Sequence, residues 1–100
     1  MQNDTWLRCK VSPGQFTGEY VIAAKDFRGN TFSFFAPDGY VDCQGQRPEA
    51  GAIDGLVQVE VLDRSENLAL VRLPRVALEN RQTVTVSDAE LIRKPVREPA

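Results

Sequence analysis

The side chains in this sequence best suited to chemistry are two thiols, Cys9 and Cys43, and two carboxylates bracketing a turn, Asp38 and Asp42. A cysteine nucleophile needs a neighbouring base or a positive field to become a thiolate. The chain contains no histidine, so the usual activating base is missing. Cys9 and Cys43 lie far apart in sequence and lack the C-x-x-C spacing of a redox or zinc pair. They read as reduced, buried small hydrophobes, and a disulfide between them is expected only if the chain is a fragment of a secreted protein. Paired acids such as Asp38 and Asp42 can serve as general acid and base or hold a hard cation. Their spacing in "DGYVD" fits no calcium loop, and Asp-Gly is ordinary turn chemistry. No G-x-G-x-x-G or Walker-type loop is present, and "SPGQFTG" and "GNTFS" hold too few glycines for a phosphate cradle. The expectation is therefore no catalytic residue, no metal ligand, no cofactor and no enzymatic activity in the chain.

What remains is material for binding. The stretch "NTFSFFAPDGY" places Phe32, Phe34 and Phe35 within four positions. Side chains alternate between the faces of a strand, so Phe34 and Phe35 cannot share one core. Phe35 falls outside it, either covered by a loop or by a partner, or exposed as an anchor. Trp6 has the same ambiguity. Tyr40, Arg72 and Arg75 complete the set of candidate binding residues, with Arg8, Lys10, Arg28 and Arg81 as further basic groups.

The elements that must position these residues are short strands. One hundred residues with 42% hydrophobic and 26% charged side chains suit one globular domain. The net charge of −2 and pI near 5.1 give no global attraction to nucleic acid or to an anionic membrane. The first ten residues lack a basic and an apolar signal region, and no run approaches membrane-span length, so a cytoplasmic chain with no membrane partner is expected.

In "TWLRCKV", Leu7, Cys9 and Val11 share one face, and Trp6, Arg8 and Lys10 the other. In "GLVQVEVLD", Val57, Val59 and Val61 point inward and Gln58 and Glu60 outward. After "RSEN" the chain returns as a hairpin with Ala69, Val71 and Leu73 inside and Arg72 outside. "QTVTVS" puts Val84 and Val86 inside and Thr83 and Thr85 outside. Ser87 or Asp88 then caps a single helical turn, and Leu91 and Ile92 begin a short closing strand. "QGQRPEAGAIDG" (44–55) has no periodicity and is expected to be a long loop. The domain is expected over 1–92, with a disordered tail over 93–100.

The predicted fold is all-β, a small barrel of five or six strands, with a β-sandwich or an OB-like barrel as alternatives. The ending "VRLP … QTVTVSDAELI" resembles the last strands of SH3-like barrels, where one helical turn precedes a short final strand. That resemblance implies a fold and no functional residues. The acidic, Tyr-rich start of a peptide-binding SH3 module is replaced here by "TWLRCKV", so recognition of PxxP segments is not expected.

Two registers compete in the hairpin around "RGN". A two-residue turn pairs Phe27 with Phe32 and buries Lys25. A three-residue loop pairs Ala24 with Phe34 and puts Tyr20, Ile22, Ala24, Phe32, Phe34 and Ala36 on the inner face. The second is preferred because it buries no lysine. Functionally, the leading expectation is a non-catalytic module that binds a protein partner, or itself, through an exposed β surface. The strand 5–11 has the charged look of a protected edge, and 82–86 of an open one. The rival is binding of single-stranded nucleic acid on Phe35, Tyr40 and Trp6 with Arg72 and Arg75 flanking one groove, a reading disfavoured by the scattered acids.

Overall fold

A computed structural model describes residues 5–46, 48, 51–74 and 82–93. Eight strands run β1 (Thr5–Pro13), β2 (Glu19–Lys25), β3 (Thr31–Pro37), β4 (Val41–Asp42), β5 (Ile53–Ser65), β6 (Leu68–Arg72), β7 (Thr83–Ser87) and β8 (Leu91–Arg93). All pairings are antiparallel, in the order β3-β2-β1-β5-β6-β7, with β4 added to β5 and β8 to β1. The sheet curls into a half-barrel, as the all-β reading anticipates. The two- and three-residue strands β4 and β8 raise the strand count above the five or six expected.

The alternating valines explain where the core lies. Val57, Val59, Val71, Val84 and Val86 are buried on the concave face with Leu7, Val11, Ile22, Phe32 and Phe34. β5 is long enough to serve two neighbours: Ile53 to Val59 pair with β1, and Glu60 to Ser65 with β6. Within the second segment the register shifts between Val61 and Asp63, so Leu62 stands without an opposite residue on β6. A bulge of this kind bends a strand and increases its twist, which curls the sheet around the core.

The β2–β3 connection differs from both expected registers. Ala24 pairs with Phe32 and Lys25 with Thr31, leaving a five-residue turn over 26–30. The Asp26 carboxylate organises it, accepting the backbone N–H of Arg28 and of Asn30, each at 2.9 Å. Gly29 supplies the left-handed residue this turn needs, at φ 84°. The preferred register is thus displaced by two positions. Because the side-chain period is two, that slip leaves every residue on its expected face. Tyr20, Ile22, Ala24, Phe32, Phe34 and Ala36 all point to the core, and Lys25 is exposed.

Three other expectations change. β1 is no edge: it is flanked by β2, β5 and β8, because its Leu7, Cys9 and Val11 belong to the centre of the core. The loop over 44–55 ends earlier than expected, since Ile53, Asp54 and Gly55 pair with Val11, Lys10 and Cys9. The helical turn Asp88–Glu90 forms after Ser87, yet no side chain caps it. Asp88 instead meets Arg64 at 2.5 Å. The tail beyond Arg93 lies outside the described residues.

Candidate functional site

A concavity lies at the open end of the β2–β3 hairpin, opposite its turn. Pro13 ends β1, and the turn that follows is held by Gly14 N–H donating to the Glu19 C=O at 3.1 Å and Glu19 N–H to the Phe16 C=O at 3.3 Å. Gly14 is required there, because a Cβ would stand 2.4 Å from the Glu19 carbonyl oxygen. Asp38 N–H donates to the Gly18 C=O at 2.8 Å, tying this turn to the 3₁₀ turn Asp38–Tyr40. Between the two turns and the segment after β4 opens a cleft of about 880 Å³.

Three aromatic side chains line the cleft. Trp6 projects from the outer face of β1 and is only 5% exposed. It lies outside the main core cluster, as does the buried Leu56, one step diagonally across the sheet. Both are buried on the convex side of the sheet. Trp6 is therefore a wall residue and not the exposed anchor considered from sequence. Tyr20 is partly buried, and Phe16, at 71% exposure, marks the rim.

Among the described lining residues the charges are of one sign. Glu19, Asp38 and Asp42 line the cleft, and none of its described lining residues is Lys or Arg. The Asp42 carboxylate accepts the Gln44 N–H at 2.8 Å, which orders the chain leaving β4. Cys43, also in the lining, feels this field: burial first, then Asp38 and Asp42, push its thiol pKa up. Burial, then Cys43 and Asp54, raise that of Cys9 to about 12. Both cysteines are free thiols, and the surroundings of each favour the protonated form over the thiolate. Among the described residues no three potential metal ligands converge.

The other sequence-selected residues separate. Phe35 lies on the outer face of β3, 37% exposed, while Phe32 and Phe34 are buried with their rings stacked at 6.1 Å. Tyr40 and Arg72 do come together, in a shallow hollow of about 360 Å³ that also contains Glu60 and Gln82. There the Arg72 guanidinium is engaged by Glu60 at 3.1 Å. Arg75 lies outside the described residues. Phe16, Tyr20 and Glu19 escaped selection by sequence, whereas Asp38 and Asp42 were weighed as a catalytic or cation-binding pair and read as turn residues. Phe16 had a legible signal: it sits in "SPGQFTG", a turn with no strand alternation to bury it.

Among the described residues no helix is long and apolar enough to cross a membrane. No protein-family model matches this chain, and no curated protein or solved structure matches it.

Proposed function

We propose that this chain is a non-catalytic protein-interaction module whose cleft takes an extended basic segment of a partner. The observation that carries this reading is the joining of Trp6, Phe16 and Tyr20 with Glu19, Asp38 and Asp42 around one concavity. Aromatic faces attract ammonium and guanidinium groups, and carboxylates add charge-assisted hydrogen bonds to the same groups. An exposed aromatic ring beside a cleft becomes an anchor when a partner covers and desolvates it. The missing histidine and the upward shift of both thiol pKa values support a module without chemistry of its own. A reducing, cytoplasmic setting fits the two unpaired cysteines. The order β7, helical turn, β8 supports an SH3-like closing end, which is the finer fold reading we adopt.

The same acids weigh against nucleic acid, whose phosphates they would repel. Basic side chains outside the cleft are partly spent on ion pairs: Lys10 with Asp54, Arg64 with Asp88 and Arg72 with Glu60.

Amide NMR on labelled protein tests this directly, with a pool of short Lys- and Arg-containing peptides in one arm and short single-stranded DNA in the other. Peptide-induced shifts are expected at Phe16, Tyr20 and Asp38 and in the Trp6 indole, fading as salt rises. Phe16→Ala should weaken the complex about fivefold to thirtyfold, the cost of removing an anchor of about 1–2 kcal/mol. Silence in the peptide arm, or shifts in the DNA arm centred on Tyr40 and Arg72, would sink this reading.

A further inference from the structure

The two cysteines, distant in the sequence, converge in the fold on one glycine. Cys9 on β1 stands opposite Gly55 on β5. Leu56 and Val57 pair with both β1 and β4, so those strands occupy opposite edges of β5. Cys43 follows directly at the end of β4. The Asp42 carbonyl oxygen lies 3.1 Å from where a Cβ on Gly55 would stand, and a Val11 methyl lies 2.7 Å from the same point. Val11 is fully buried in the core, so that point is on the concave face. The peptide joining Asp42 to Cys43 therefore leans over Gly55 from the core side, where a larger residue would hold it off.

Both thiols share that face. Cys9 belongs to the core cluster, and Cys43 packs against it while also lining the cleft. The two lie within electrostatic reach of each other: after burial, Cys43 raises the Cys9 pKa more than Asp54 does. Cys43 is thus the thiol that a small reagent meets from solvent, and Cys9 is the one enclosed behind it.

We propose that Cys9 and Cys43 are a latent disulfide pair, open in the reduced fold and closed by an oxidant of the peroxide class. Peroxide takes two electrons from the Cys43 sulfur, leaving a sulfenic acid and releasing water. The Cys9 sulfur then attacks that of Cys43. The S–O bond breaks, and the hydroxide leaves with the Cys9 proton as a second water. Two strands flanking a third lie roughly 9.5 Å apart, whereas a disulfide needs Cα atoms within about 6.8 Å. Cys43 must therefore move inward by about 3 Å. It is placed to do so, because it lies beyond the last pair of a two-residue strand and Gly55 sets no side chain in its path. Closure draws Val41, Asp42 and Cys43 toward the core, and all three line the cleft. The cleft wall then moves with redox state, and the pairing itself does not depend on what the cleft binds.

Peptide mapping of the native chain after treatment with hydrogen peroxide tests the proposal. The expected product is a monomer lighter by two hydrogens, with Cys9 and Cys43 in one linked peptide and the mass restored by dithiothreitol. Cys9→Ser should stop at oxidised Cys43, and Cys43→Ser should leave Cys9 untouched. Amide spectra of the linked wild-type form should change at Asp42, Cys43 and Gly55 and stay as they were at Val71, Val84 and Val86, which separates closure from unfolding. Sulfinic acid on Cys43 with no link, a link between two chains, a link that forms only in urea, or amide changes spread over β6 and β7 would overturn the proposal.

Discussion

Burial separates residues that look alike in the sequence. Phe34 and Phe35 are adjacent, yet one is enclosed and the other is 37% exposed. Phe34→Ala should cost about 3–5 kcal/mol through lost transfer energy and the cavity left behind. Phe35→Ala should cost less than about 1.5 kcal/mol, and paired urea titrations would measure the difference. The two cysteines divide in the same way. Cys43 lines the cleft and Cys9 lies in the core, so a thiol reagent added to native protein should label Cys43 first and Cys9 only on unfolding. The thiol of Cys9 has its pKa raised from 9.0 to about 12, mainly by burial. The unfolded chain then releases this proton at lower pH than the folded one. Its contribution is fully present below pH 9.0 and is lost as pH rises toward about 12. Denaturation followed from pH 8 upward should show this decline, and Cys9→Val should flatten it.

At the scale of elements, turns decide register and bulges decide curvature. The β5–β6 hairpin reverses at Glu66 and Asn67, with Glu66 held at φ 55°, a conformation that strains a residue carrying a Cβ. Glu66→Gly should relieve this strain and stabilise the protein by about 0.5–1 kcal/mol, less what the added freedom of the unfolded chain takes back. A rise of a few degrees in Tm would register the gain, and a fall would show that the turn depends on the glutamate side chain. The β2–β3 turn follows the opposite rule, with glycine already at its left-handed position and the Asp26 carboxylate fixing the loop length.

For the molecule as a whole, two surfaces stand apart: a cleft at one end of the β2–β3 hairpin and an edge along β3 that is unpaired among the described residues. The three described ion pairs are all solvent-exposed and contribute little to stability, so the fold rests on the concave core.

Period-two alternation by itself determined the all-β class, the inner valines of β5, β6 and β7, the outward Arg72 and the separation of Phe35 from Phe34, because face assignment depends only on parity along a strand. Parity also protected the inner face of the β2–β3 hairpin when its pairing slipped by two. Strand neighbours were another matter. Nothing local in "TWLRCKV" says that it lies at the centre of the sheet, since alternating charge looks the same on an edge and on one face of an interior strand. The cleft was equally out of reach. Phe16, Tyr20, Asp38 and Trp6 belong to separate elements, and only the pairing of β1 with β2 and β5, of β2 with β3 and of β4 with β5 carries them to one place. The tertiary structure decided which strands remain edges, because that depends on how many partners each has acquired once the sheet is closed upon its core.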